Sequence, residues 1–130
     1  MEEMYYKIKT NKDIQTTMHD LKKSMEKNGF SVVVELDFKD RMAQDGIPFD
    51  HNFKMIEICR AEYLKKVLDQ SLIAGLMMPC KIGVLDDQGT VYIGMVKFTK
   101  MFGMMKNPAL DEFLTKVEKE VLTALEEAAK

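Results

Sequence analysis

The chain has 130 residues, 46% hydrophobic and 31% charged, with a formal net charge of −2. A chain of this length can hide roughly two thirds of its unfolded surface, which predicts a single domain over residues 1–130. Lys and Glu are interspersed, which excludes the basic stripe of a nucleic-acid surface, and no apolar run nears a bilayer span, so neither nucleic acid nor membrane is expected as a partner.

In chain order, Met4, Tyr6 and Ile8 alternate with Tyr5, Lys7 and Lys9, the period of two that marks a strand with one buried face. The opening MEEMYYKIKT carries acid where a secretory leader needs positive charge, so cytoplasmic residence is the expectation. Ile14, Met18, Leu21 and Met25 then repeat at four, three and four. This predicts a helix that Thr10 or Asn11 caps and Asn28-Gly29 ends. In FSVVVELDF, Val32, Val34, Leu36 and Phe38 fall on one face and Val33, Glu35 and Asp37 on the other, a half-buried strand. KDRMAQDGI reads as a short helical turn closed by Gly46, and PFDHN as a loop.

FKMIEICR is a third strand, with Ile56 and Ile58 on one face and Phe53, Met55, Glu57 and Cys59 on the other. AEYLKKVLDQS is a short helix with Tyr63, Leu64, Val67 and Leu68 inward. PCKIGVLDDQGTVYIGMVKF predicts a hairpin about Asp86-Asp87-Gln88-Gly89. Pairing Leu85 with Thr90 sets Val84 against Val91, Ile82 against Ile93 and Cys80 against Met95, all on one apolar face. TKMFGMMKN reads as an irregular link. Asn107-Pro108 opens the last helix, whose seam is Leu110, Phe113, Leu114, Val117, Val121, Leu125 and Ala128. The order predicts an α+β fold, β-α-β-(short α)-β-α-β-β-α: a mainly antiparallel five-stranded sheet with two long helices packed on one face.

The run FKMIEICRAEYLKKVLDQSLIAGLMMPCKIGVLDDQGTVYIGMV, residues 53–96, resembles the domain of unknown function 302 family, as does MEKNGFSVVVELDFKDRM. The most specific pieces are IEICR, carrying Cys59, and MPCKIGV, carrying Pro79 and Cys80. Family members more often have Leu before the Pro-Cys pair and Asn-Pro after the first cysteine, where this chain has Met78 and Arg60-Ala61. The resemblance implies a TATA-binding-protein-like topology and homodimers, and it implies no reaction.

Three chemistries fit Cys59 and Cys80: small buried core residues, a ligand or metal pocket, or a reactive thiol. Two cysteines are too few for a disulfide framework, and a reducing compartment keeps them as thiols. Pro79 suits the first residue of a strand because it lacks a donor. Glu57, on the face of Cys59, reads as a strand glutamate paired with a lysine or as a general base. His19 and His51 lack zinc-site spacing and read as solvated. Twelve methionines fill irregular gaps, and Met101, Met104 and Met105 form a Met-x-x-Met pattern that suits a plug, a dimer contact or Cu(I). The glycines form no phosphate-binding pattern and no Ser-His-Asp arrangement is legible, so no cofactor is expected. The expectation is a non-enzymatic, homodimeric small-ligand-binding or accessory domain with a pocket between the sheet and the helices, near Glu57, Cys59, Pro79 and Cys80. The alternatives are a thiol-based redox or nucleophilic enzyme using Cys80 or Cys59, and a soft-metal binder.

Overall fold

Alternating apolar residues build five strands, β1 (Tyr5–Thr10), β2 (Ser31–Asp37), β3 (Phe53–Cys59), β4 (Cys80–Asp87) and β5 (Thr90–Val96). The structure, a computed structural model, describes residues 4–130. The strands form one antiparallel sheet in the order β1-β5-β4-β3-β2. Cross-strand pairs such as Ile56 with Ile82, Val84 with Ile93 and Ile8 with Ile93 put the aliphatic residues on one face. Helices α1 (Ile14–Lys27) and α5 (Pro108–Ala129) pack there, as expected, over a core that includes Leu21, Met25, Ile56, Ile82, Ile93 and Leu125. Shorter helices α2 (Phe38–Gln44), α3 (Ala61–Gln70) and α4 (Phe98–Gly103) and a 3-10 turn (Leu72–Met77) complete the fold. No helix among the described residues is long and apolar enough to cross a membrane.

The two long helices approach closely because their contact carries small residues: Ser24 Oγ donates to the Ala124 carbonyl at 2.7 Å. The last carbonyls of α5 find partners outside the helix. Thr10 Oγ1 donates to Ala129 O at 2.8 Å, and Lys12 Nζ to Ala128 O at 2.9 Å while pairing with Asp20 at 2.6 Å. At the start of α5, Asn107 Oδ1 accepts from Leu110 N at 3.1 Å, the cap the sequence predicts. Asp13 rather than Thr10 or Asn11 caps α1, accepting from Thr16 N at 2.7 Å. The helix stops at Asn28, followed by Gly29 at φ +88°, a left-handed position that favours glycine.

Three further sequence expectations change. The hairpin pairs Asp87 with Thr90 and Ile82 with Met95, two residues out of the expected register, because the strands run on to a two-residue turn at Gln88-Gly89. Both turn residues have positive φ, 52° and 87°, the backbone that matches strand twist. A shift of two preserves the faces, so Cys80, Ile82 and Val84 still point to the helices. In β2 the pairing skips Val33: Val32 pairs with Ile58, but Val34 pairs with Glu57 and Leu36 with Met55. This bulge leaves Val32 under the helices and turns Val34 and Leu36 to the opposite face, while the exposed Glu35 reaches Lys22 of α1 at 3.2 Å. The expected link at TKMFGMMKN contains α4, whose Phe98 and Phe102 are buried. Its N-terminus has no cap of its own; Glu118 of α5, itself buried, accepts from Thr99 N at 3.0 Å and supplies one from a distance.

Candidate functional site

The sheet face turned away from α1 and α5 has a hollow in its middle. Gly83 of β4 and Gly94 of β5 are directly paired, so two adjoining positions carry no side chain. The result is a depression of about 420 Å³, walled by Tyr5, Phe53, Met55, Leu85 and Val96 with Lys7 and Lys81 at its edge. Phe53 closes one side over Gly83, where an added Cβ would come within 2.9 Å of its ring. Phe38, at the start of α2, braces that ring with centroids 4.7 Å apart. At Gly94 an added Cβ would make only ordinary contacts, 3.7 Å from the Tyr6 carbonyl oxygen and 3.8 Å from Leu85 Cδ2.

The charges at the rim are matched. Lys81 pairs with Glu57 at 3.2 Å, and Lys7 pairs with Asp87 at 3.7 Å while lying 4.1 Å from the centroid of the Tyr92 ring. Glu57 is thus a half-buried strand glutamate with a lysine partner. At the end of the sheet the hollow continues toward a slot of about 90 Å³ lined by Pro79, Cys80, Phe98 and Met101; Lys81 and Val96 line both spaces. The bond before Pro79 is cis, and Cys80 opens β4 as its neighbour's position predicts.

Cys80 is buried and pairs in register with Ile58, one residue from Cys59. The two cysteines line a narrow gap of about 20 Å³ with Arg60 and Tyr63, room for little more than one water. Burial, and secondarily the neighbouring Cys59, pushes the Cys80 thiol from 9.0 up to about 12. Only about one part in 10⁵ is then thiolate at pH 7, the opposite of what a nucleophile needs. Arg60 lies 4.4 Å from the Tyr63 ring centroid and 3.7 Å from Glu62. Burial and the hydrogen bond from its hydroxyl to Glu120, 2.8 Å, raise the Tyr63 pKa. His19 and His51 are exposed and far apart in sequence. No group of three or more His, Cys, Asp or Glu with metal-site geometry occurs among the described residues.

The structure therefore splits the predicted site residues between three adjoining spaces: Glu57 beside the hollow, Pro79 in the slot, Cys59 in the gap, and Cys80 in slot and gap alike. The sequence reading missed Gly83, Gly94 and Phe53. Their signal was present, since two glycines at matched hairpin positions leave a hole, but the expected register set Gly83 opposite Tyr92.

An α+β sheet with an apolar hollow on its open face is the class that fold and site define. The chain matches the family model for the domain of unknown function DUF302 over residues 6–128, and it belongs to that family. Among solved structures it is similar to the uncharacterized conserved protein DUF302 from Bacillus stearothermophilus, with a TM-score of 0.93 and 29% identity over 96% of this chain and 98% of that one. No curated protein matches it.

Proposed function

We propose that the protein is a non-enzymatic binding or accessory domain that takes a small, flat, mostly apolar molecule in the hollow over Gly83 and Gly94. The ligand would extend toward Pro79 and Cys80, where the hollow and the slot share Lys81 and Val96. The hollow itself supports this reading. A volume of about 420 Å³ lies within the range of small-molecule sites, and its walls are apolar. Its two lysines already have carboxylate partners, so an uncharged ligand leaves both pairs intact. Cys80 contributes as an apolar wall because burial keeps it protonated. Homodimerisation belongs to the same proposal. Tyr5, Val34 and Val96 are 36%, 42% and 47% exposed on the face that α1 and α5 leave uncovered, and a second copy would shield them.

Titration with the neutral fluorophore N-phenyl-1-naphthylamine tests the site. Saturable binding at one site per chain is expected, with weakening in Gly94→Val, whose added side chain projects into the floor of the hollow while meeting only ordinary contacts at its Cβ. Equal binding by wild type and a Gly94→Val variant of unchanged melting temperature would refute it. A monomer by sedimentation at tens of micromolar would remove the dimer.

A further inference from the structure

The most exposed large apolar side chains among the described residues sit together at one end of the molecule. Leu72 and Leu76 are each 81% exposed and Ile73 62%, all on the 3-10 turn; Met104, just after α4, is 77% exposed. The turn is firmly seated. Ala74 is fully buried, and Gly75 lies so near α3 that a Cβ would come within 2.9 Å of Leu68 Cδ2. Met77 and Met101 line one slot, so the turn and α4 abut where β4 begins and β5 ends.

Among the described residues, the charge carried by the turn, the start of β4 and α4 is one-sided. No Asp or Glu occurs between residues 70 and 85 or between 88 and 110, whereas Lys81, Lys97, Lys100 and Lys106 do. Lys81 is held by Glu57, and Lys97 lies 4.8 Å from the Tyr6 ring centroid. Lys100 and Lys106 are exposed and make no ion pair among the described residues. The acids Asp86 and Asp87 lie at the far end of β4, about 20 Å away at the rise of a strand. Asp69 is tied to Lys65 at 2.7 Å; Asp111 and Glu112 stand at the start of α5.

Rigid apolar tips beside unpaired lysines complement a surface that is apolar inside and anionic outside. Two copies meeting patch to patch would set lysine against lysine. The tips also stand on a convex turn, which suits a deformable partner better than a preformed groove. We infer that this end docks on an anionic phospholipid surface, with Leu72, Ile73 and Leu76 entering the headgroup–acyl boundary and Lys100 and Lys106 meeting lipid phosphates. Such docking is peripheral, needs no spanning helix, and is independent of the hollow.

Co-sedimentation of the full chain with vesicles tests this. Binding is expected to vesicles of one part phosphatidylglycerol to three parts phosphatidylcholine, and not to phosphatidylcholine alone. Leu76→Ser is expected to weaken binding roughly tenfold. Lys100→Gln together with Lys106→Gln is expected to weaken it by roughly tenfold or more, and added salt to do the same. All are surface changes, so melting temperatures should not move. The inference is overturned by absence of binding to the anionic vesicles, or by binding that neither set of variants weakens. It is equally overturned if Leu76→Ser turns a wild-type dimer into a monomer, which would assign the turn to a second copy.

Discussion

Replacing Glu118 by alanine removes three things at once. Oε1 accepts from Thr99 N at 3.0 Å and from Thr99 Oγ1 at 3.2 Å, and Oε2 accepts from Tyr6 OH at 3.4 Å. The bond to Thr99 N is the principal loss, because among the described residues it is the side-chain cap on α4, a helix whose Phe98 and Phe102 are in the core. A hydrogen bond to a charged group contributes about 1.5–3 kcal/mol, and a lost cap costs about 1 kcal/mol of the same stabilisation. The Tyr6 contact is long and adds little. A loss of about 1.5–3 kcal/mol follows, or a fall of roughly 5–11 °C in melting temperature for a domain of this size. Glu118→Gln keeps an acceptor for Thr99 and should lose about half as much. The carboxylate also leaves a mark on Tyr6, whose pKa is raised by burial first and by the Glu118 charge second. In Glu118→Gln the Tyr6 phenol should therefore ionise at lower pH, as read by ultraviolet titration. Thermal unfolding followed by circular dichroism checks the stability. A Glu118→Ala variant within about 0.5 kcal/mol of wild type would refute the capping argument, since surface changes fall in that range.

Alkaline stability should report Cys80. Its folded pKa is raised from 9.0 to about 12, so its contribution is intact below pH 9 and is lost as pH rises toward 12, by up to about 4 kcal/mol. Cys80→Val should flatten that part of the urea-midpoint profile, leaving the slope above pH 10 from Tyr6 and Tyr63, both also raised. Gly83→Ala drives a Cβ to 2.9 Å from the Phe53 ring, which Phe38 braces from behind, and should cost about 1–3 kcal/mol by urea unfolding. Gln88→Asn suits the positive φ of 52° at the hairpin turn and should raise stability by a few tenths to about 1 kcal/mol in the same assay.

The fold was legible wherever one period ran unbroken. The spacing of Ile14, Met18, Leu21 and Met25 and the Asn107-Pro108 start were enough for α1 and α5, because burial along a stripe leaves a direct trace in residue type. β2 was harder. Its pattern reads as an alternation apart from Val33, yet a bulge there reverses the sheet face from Val34 onward, and nothing in VVVEL marks a skipped pair. The hairpin register failed for a different reason: Asp86 and Asp87 looked like turn residues, although both lie in the strand and only Gln88-Gly89 turns. That slip hid the pairing of Gly83 with Gly94 and with it the hollow. Glu118 sits four residues after Leu114 and three before Val121, on the buried stripe. A glutamate at that position signals a buried partner, but which backbone it caps depends on how α4 folds. The Pro79–Cys80 pair was readable as a strand start, whereas the burial that keeps its thiol protonated is a property of the assembled core.

The bulge at Val33 bears on what this molecule does in crowded solution. β2 is an edge strand, and its neighbouring Val33 and Val34 are 52% and 42% exposed. An apolar edge with a regular row of free N–H and C=O groups is a template on which another chain can add a strand. Skipping one residue breaks the spacing of that row and twists the edge, so an incoming strand cannot pair along its whole length. The irregularity that defeats the sequence pattern thus also limits strand addition along an edge that carries exposed valines.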